Sequence, residues 1–191
     1  MTGRRLVRAG AWTVGAAAVA VGGYAGLVSG ALPVDLGVGR RIRRLGPQTV
    51  DIAAPREVVF EVIAQPYLGR STRAMREKVQ VLERGSDMVL AAHSTPVGGR
   101  WTAVTVETVR FTRPERIDFR LVRGPVPHVV EAFVLTIHAS GTRLVYEGEL
   151  GTDLWAVGQR WGQLVARRWE DTVAASLTSV KEEAERRAAR R

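Results

Sequence analysis

The start of the chain contains an uncharged run that is long enough to cross a membrane. After Arg8 no charged residue appears between residues 9 and 34, and arginines stand on both sides of the run. A hydrocarbon core about 30 Å thick needs roughly 20 apolar residues in a helix. Because a helix buried in a globular domain rarely stays uncharged on every face for that length, the sequence predicts one transmembrane helix over 9–34. Residues 1–8 then form a basic tail, and residues 35–47 form a basic juxtamembrane linker.

A cleaved secretory signal peptide is the alternative interpretation of the same run. Such signals also begin with basic residues, and Ser29, Gly30 and Ala31 resemble a small-residue cleavage site. Their apolar part spans only about 7–15 residues, which is shorter than the run in this chain. We therefore expect a single-pass protein of the cell membrane. The side on which the following domain lies stays open, because arginines at both ends of the run leave positive-inside counting undecided.

Small residues recur at every fourth position of the run and include Gly22, Gly26 and Gly30. This spacing allows two helices to approach closely in a lipid bilayer, so it predicts a homodimer formed through that face. A compositional bias toward glycine and alanine explains the same pattern, and the sequence does not separate the two explanations.

The formal charge of +9 lies mainly toward the two ends of the chain. Arginines flank the uncharged run and close the C terminus, whereas acidic residues are mixed through the part between them. No basic face suited to nucleic-acid phosphates is visible, so we expect no nucleic-acid partner. The arginines beside the run suit anionic lipid headgroups. The chain has no cysteine, which excludes disulfides and thiolate metal ligands.

Residues 48–191 have the length of one domain with its own core. A short strand from Gln48 leads into a helix that begins at Pro55 and that Pro66 is expected to end. Six β-rich runs follow, separated by turn residues, which is typical of an antiparallel meander. From Thr152 to the arginines of the C terminus runs one long amphipathic helical pattern.

One broad face of that last helix is apolar and carries Gly158 near its middle. A glycine costs about 1 kcal/mol relative to alanine inside a helix. The position therefore marks close approach of another backbone, space left for a ligand, or a glycine that is merely tolerated. The apolar face that a helical wheel predicts comprises Leu154, Val157, Trp161, Val165, Trp169, Val173 and Val180.

The order of these elements resembles the SRPBCC superfamily, which includes START-like, Bet v 1-like, and polyketide cyclase/dehydrase and lipid-transport proteins. The resemblance rests on residues 50–60 (VDIAAPREVVF), 113–117 (RPERI) and 141–146 (GTRLVY), together with the final helix. It implies an α+β helix-grip fold, in which a curved antiparallel sheet wraps around the long C-terminal helix with an apolar cavity between them. None of these motifs is catalytic, so the resemblance implies an architecture and no particular reaction.

Aromatic side chains of the strands and the last helix are the candidates for lining such a cavity, with ordinary core packing as the alternative role. Glu131 is the single polar member of an alternating set within residues 129–137. It either faces the cavity as a polar handle or acid/base group, or it is solvated while Val130, Ala132 and Val134 face inward. The candidate lining residues are Trp101, Phe119, Glu131, Phe133, Tyr146, Trp155, Gly158 and Trp161.

The sequence contains few signs of catalysis or metal binding. His93, His128 and His138 show no metal-ligand spacing, and no phosphate-binding loop or nucleophile motif is recognisable. The acid/base candidates are Glu131, Tyr146 and His128. We expect no metal and no cofactor, and we predict a membrane-tethered module that binds an apolar ligand such as a lipid, an isoprenoid or a polyketide-like molecule. A cyclase, dehydratase or hydrolase that uses the same cavity, and a structural domain with a filled cavity, are the alternatives.

Overall fold

A computed structural model describes residues 22–23, 25–26, 35–69, 73–98 and 101–190 of the chain. In its described part after residue 34, seven strands form one sheet, and three helices accompany them. The strands are β1 (Arg41–Ile52), β2 (Val79–Arg84), β3 (Met88–Gly98), β4 (Trp101–Thr112), β5 (Arg116–Arg123), β6 (His128–His138) and β7 (Gly141–Thr152). The helices are α1 (Arg56–Leu68), α2 (Arg73–Lys78) and α3 (Trp155–Ala188).

The sheet is antiparallel throughout, with the strand order β1-β7-β6-β5-β4-β3-β2. Strands β2 to β7 follow one another as neighbours, since Gly, Pro, Ser and Asp residues between the β-rich runs favour tight turns. Strand β1 returns to pair with β7, so β1 and β2 form the edges. The core lies between one face of the sheet and the helices α1 and α3, and its fully buried side chains include Phe60, Leu135, Leu144 and Tyr146.

The helix α3 packs on the sheet with the predicted apolar face from Trp161 onward, whereas its first turn is exposed. It has 34 residues, and Val157, which the helical wheel placed on the apolar face, is 74% exposed. A Cβ atom at Gly162 would lie only 3.0 Å from the side chain of Thr152, so the helix backbone lies directly against β7. Small residues therefore occupy the centre of the contact, and the large aromatic side chains flank it. The buried residues of α3 are Gly162, Ala166, Val173, Leu177 and Ala184.

Strand β1 begins at Arg41 and not at Gln48, so residues 41–47 belong to the sheet and not to a linker. The strand accommodates its arginines because it is an edge strand whose backbone pairs with β7. One of them, Arg43, forms an ion pair of 2.7 Å with Glu170 of α3. The basic composition of this segment had suggested a linker, although alternating arginines are compatible with an edge strand.

Two helix boundaries also differ from the sequence-based expectation. Helix α1 continues through Pro66 to Leu68, because a proline in the last turn removes one amide while Gly69 N still donates to Gln65 O at 2.9 Å. Helix α3 begins after Thr152, which is the last residue of β7.

The expected α+β helix-grip fold is confirmed for the domain. None of the helices within the described ranges combines the length and the apolar character needed to cross a membrane. The transmembrane helix predicted over 9–34 lies outside the described residues, except for residues 22–23 and 25–26, which are helical.

Candidate functional site

Glu131 lies on the inner face of β6 and is only 9% exposed. Its neighbours in the register are Phe119 on β5 and Gly148 on β7. Its Oε2 atom accepts a hydrogen bond of 2.7 Å from the hydroxyl of Tyr146 and one of 2.6 Å from the indole N–H of Trp169. Of the two orientations that the sequence left open for this strand, the structure has the one in which Glu131 faces the interior.

The Glu131 carboxyl is largely protonated at neutral pH. Burial raises its pKa to about 8, the nearby carboxylate of Glu107 raises it further, and the hydrogen bonds from Tyr146 and Trp169 oppose this shift. Both donors occupy the lone pairs of Oε2. None of the hydrogen bonds between described residues extends to Oε1, so this oxygen is left to interact with another group.

A second group of polar side chains lies on β3, β4 and α1. The hydroxyl of Tyr67 and Nε2 of His93 are 2.9 Å apart, and Nδ1 of His93 is 3.3 Å from a carboxylate oxygen of Glu107. The latter contact lacks hydrogen-bond geometry, and Nδ1 of His93 is buried without a hydrogen-bond partner in the described part of the chain. An unsatisfied buried nitrogen is costly, so it marks a position where a polar atom of a ligand would be stabilised.

Burial suppresses charge in the second group as well, although Glu107 still titrates near neutral pH. Burial raises the pKa of Glu107 to about 7, while a hydrogen bond from Thr105 opposes the shift. Burial lowers the pKa of His93 to about 4, so its imidazole is uncharged. Burial, with the nearby carboxylates of Glu107 and Glu131, raises the pKa of Tyr67. The group holds proton donors and acceptors whose charges are suppressed by their surroundings.

The two groups share one face of the sheet. Strand β5 lies between β4, which carries Glu107, and β6, which carries Glu131, so the strands that hold the two acids are about 10 Å apart. Aromatic rings connect them: the ring centroids of Tyr67 and Phe119 are 6.1 Å apart, and those of Phe119 and Phe133 are 5.5 Å apart. We call the polar residues of both groups the buried acid cluster. Its members are Tyr67, His93, Glu107, Glu131, Tyr146 and Trp169.

The structure brings together four of the residues that the sequence suggested for a cavity. These are Phe119, Glu131, Phe133 and Tyr146, which lie on adjacent positions of β5, β6 and β7. The indole N–H of Trp161 donates to Pro125 O at 2.8 Å, which joins α3 to the loop between β5 and β6. The side chain of Trp101 is not among the side chains that the structure describes.

Two other candidates lie away from this face. Trp155 is 54% exposed at the start of α3, where its ring packs against Gly39. At Gly158 a Cβ atom would lie 1.5 Å from the carbonyl oxygen of Asp153. The space expected there for a ligand is thus filled by backbone, and close approach is the reason for this glycine.

His128, an acid/base candidate from the sequence, does not join Glu131 and Tyr146. Its Nε2 atom lies 2.9 Å from a carboxylate oxygen of Glu149 in an exposed pair on the other face of the sheet. Side chains alternate between the faces of a strand, so His128 and Glu131, three positions apart, point in opposite directions.

Sequence reasoning missed Glu107, His93 and Tyr67. A signal for Glu107 was present, since it is the charged member of an inward-facing set on β4 just as Glu131 is on β6. That set comprises Ala103, Thr105, Glu107 and Val109. Nothing local marks His93 or Tyr67, because their contacts join segments that are far apart in the sequence.

Two pockets on the described part of the surface lie away from the buried acid cluster. Two surface pockets formed by described residues, with volumes of about 220 and 250 Å³, lie between β1 and α3 and between α1 and the end of α3. Neither includes a residue of the cluster. No group of three or more His, Asp or Glu side chains in the described ranges is arranged to hold a metal ion.

Most of the chain matches the sequence model of one protein family. Residues 47–185 match the family described as polyketide cyclase / dehydrase and lipid transport. The chain belongs to this family. The resemblance seen in the sequence is thereby confirmed at the level of this family. No curated protein matches the chain.

Solved structures show the same fold. The chain is similar to the Zhui aromatase/cyclase of a Streptomyces species, with 20% identity and a TM-score of 0.59 over 78% of this chain and 95% of that one. It is also similar to a protein of Thermus thermophilus, with 18% identity and a TM-score of 0.58 over 75% of this chain and 97% of that one. At these identities the similarity shows the fold alone.

Proposed function

We propose that this member of the polyketide cyclase/dehydrase and lipid transport family binds an apolar molecule with oxygen atoms between its sheet and α3. The observation that carries the proposal is the arrangement at Glu131, where both hydrogen-bond donors bind Oε2 and Oε1 is left for a ligand. Sites for small molecules are mostly apolar, with a few placed polar groups that orient the ligand. The aromatic rings around Glu131 and the buried carboxyls of the cluster fit this description.

The energetic cost of the cluster supports a functional role. A buried carboxyl without a cationic partner is expensive, and an apolar side chain of similar size would pack there at lower cost. Groups with strongly shifted pKa values concentrate at functional sites. Two such acids on one face of the sheet, one of them beside an unsatisfied imidazole nitrogen, therefore favour a functional site over a purely structural core.

We further propose that residues 9–34 tether the domain to a membrane. The proposal is supported by the uncharged run and by the arginines on both sides of it. The tether brings the binding site close to a source of apolar molecules. Homodimerisation through Gly22, Gly26 and Gly30 stays a prediction from the sequence.

Native mass spectrometry of the full chain, purified in mild detergent and followed by extraction of bound molecules, tests the binding proposal. We expect wild type to carry an apolar molecule, and Glu131→Leu to lose it while remaining folded by circular dichroism. Glu149→Gln is the matched control, because Glu149 is on the outer face of the sheet and pairs with His128. Empty wild-type protein that also fails to bind an apolar fluorescent probe saturably would contradict the proposal and favour a structural domain.

Acid–base catalysis on the bound molecule is the second candidate, and the pKa values of about 7 and 8 favour it. A general acid or base works best when its pKa lies near the operating pH. Glu131 would donate a proton to an oxygen of the ligand, and Glu107 or His93 would accept one. The variant Glu131→Gln separates the two functions, since an enzyme loses turnover while ligand binding is retained.

A further inference from the structure

Exposed apolar side chains are concentrated where the chain enters the domain. The backbone of Leu154 donates to Val38 O at 2.9 Å, and that of Trp155 donates to Gly39 O at 3.0 Å, so the start of α3 and the segment before β1 form one surface. Large apolar side chains from both segments are solvent-exposed on it. We call this surface the junction patch, and it comprises Leu36, Val38, Leu154, Trp155 and Val157.

A buried carboxylate holds the junction patch in place. Oδ2 of Asp153 accepts hydrogen bonds from the backbone of Leu36 at 2.7 Å and of Gly37 at 2.8 Å, and Oδ1 accepts one from Nε of Arg40 at 2.8 Å. The guanidinium of Arg40 and these amides hold the pKa of Asp153 down, at about 2. The segment from residue 35 to 40 is therefore fastened to the domain, and its apolar side chains are presented outward on a rigid base.

Isolated exposed apolar side chains are normal on protein surfaces, but five of them on two segments joined by backbone hydrogen bonds indicate an interaction site. A tryptophan at the edge of such a group is typical of contact with the interface between a lipid bilayer and water. The patch also begins two residues after the end of the uncharged run 9–34. Since one residue spans at most about 3.6 Å, Leu36 lies within about 7 Å of the end of that run.

We propose that the junction patch rests on the surface of a lipid bilayer. The inference depends on the tether proposed above, because a run that spans the bilayer leaves the patch at the level of the headgroups. Charge supports the same occupant: Arg41 and Arg160 are exposed beside the patch and form no ion pair with any described residue. Each such arginine near an anionic membrane is worth about 1 kcal/mol of attraction.

This contact orients the domain as well as holding it. With the junction patch on the bilayer, one end of the sheet faces the lipid. This is the end with the loop that contains Pro125, which Trp161 of α3 contacts. The opposite end, with the turn around Ser86, points away from it. An apolar molecule then reaches the interior of the domain without crossing bulk water.

Fluorescent labels placed on the full chain test this orientation. Because the chain has no native cysteine, a single introduced cysteine is the only site that a thiol-reactive dye labels. Val157→Cys carries an environment-sensitive dye in the patch, and Ser86→Cys carries it at the far end as the matched control. The proteins are reconstituted into vesicles of phosphatidylcholine and phosphatidylglycerol in equal parts. We expect the label at position 157 to lose most of its fluorescence to a lipid with a spin label near its headgroup, and to be protected from aqueous iodide. The label at position 86 should behave in the opposite way.

The other outcomes overturn the proposal in distinguishable ways. If the chain floats with the vesicles after carbonate treatment but both labels respond only to iodide, the tether stands and the docking is wrong. Protection from iodide without quenching by lipid would mean that a second copy or residues 9–34 cover the patch. A chain that carbonate removes from the vesicles contradicts the tether itself and this orientation with it. Vesicles of phosphatidylcholine alone should weaken the quenching at position 157, because the arginines then lose their anionic partners.

Discussion

The hydroxyl of Tyr146 lies 2.7 Å from Oε2 of Glu131, and the indole N–H of Trp169 lies 2.6 Å from the same oxygen. These contacts tie β6 to β7 and to α3 around one buried carboxyl. Because both donors use the same oxygen, the other oxygen is left to face whatever enters the interior. Glu131 therefore contributes to the packing of the domain and to the proposed binding site, and the two roles can be tested separately.

The stability of the domain should fall as the pH rises from about 4.5 to about 8, most clearly above about pH 6.5, where His93 no longer opposes the fall. The pKa values of Glu107 and Glu131 rise from 4.5 to about 7 and about 8 on folding, so the folded state binds more protons over this range and loses stability as the pH rises. The pKa of His93 falls on folding from 6.5 to about 4, and its opposite contribution is confined to lower pH. Between about pH 6.5 and 8.5 we expect a loss of about 1–3 kcal/mol in urea unfolding of the full chain in detergent. Glu131→Gln should flatten the profile, and a flat wild-type profile would show that these carboxyls stay ionised.

Tyr146→Phe should destabilise the domain by about 1–3 kcal/mol, because it removes a hydrogen bond at a fully buried position that water cannot replace. The substitution should also raise the pKa of Glu131, because in wild type the hydrogen bond from Tyr146 lowers that pKa. The pH dependence of urea unfolding measures both effects. An unchanged midpoint together with an unchanged pH profile would mean that the hydroxyl and the carboxyl do not interact in solution.

Gly158→Leu should disrupt the start of α3. A Cβ atom at this position would meet the Asp153 carbonyl oxygen at 1.5 Å, so the backbone must move, at a cost of about 3 kcal/mol or more. Gly162→Ala is the milder control, because its nearest contact is a side-chain methyl of Thr152 at 3.0 Å. Thermal unfolding measures both variants. A stable Gly158→Leu protein that has lost its ligand would instead support the ligand space that the sequence had suggested.

Asp153→Asn should loosen the segment before β1 and destabilise the domain by about 1–3 kcal/mol near neutral pH. The pKa of Asp153 is lowered on folding from 3.8 to about 2, so its contribution is complete above about pH 4 and is lost as the pH falls toward 2. Asp118→Asn is the control, because Asp118 pairs with Arg116 at a half-exposed site where ion pairs contribute little. Limited proteolysis near residue 37 should increase for Asp153→Asn alone. Equal behaviour of the two variants would mean that the contacts of Asp153 do not hold this segment.

The secondary structure of the domain could be predicted from the sequence because it depends on local patterns of residues. Alternation of apolar residues in β6 and the turn residues around Gly141 predicted strands that the structure confirms, and the long final helix was predicted from its periodicity. The same alternation placed Glu131 on the face shared with Val129 and Leu135, although it did not tell which face was buried. The first strand was predicted too short, because a run of arginines resembles a linker when its edge position is unknown.

The partners of each residue were decided by tertiary structure alone. His93, Glu107 and Tyr67 meet because β3 pairs with β4 and α1 packs across them, and no spacing within the sequence encodes that distance. The exposure of the first turn of α3 was likewise decided by packing, since Gly162 lies against β7 while Val157 points outward. A single sequence specifies which side chains share a face, since that follows from the period of a strand or helix. Which faces meet, and at what depth, follows from packing between distant segments, and so the buried acid cluster and the junction patch became visible only in the folded chain.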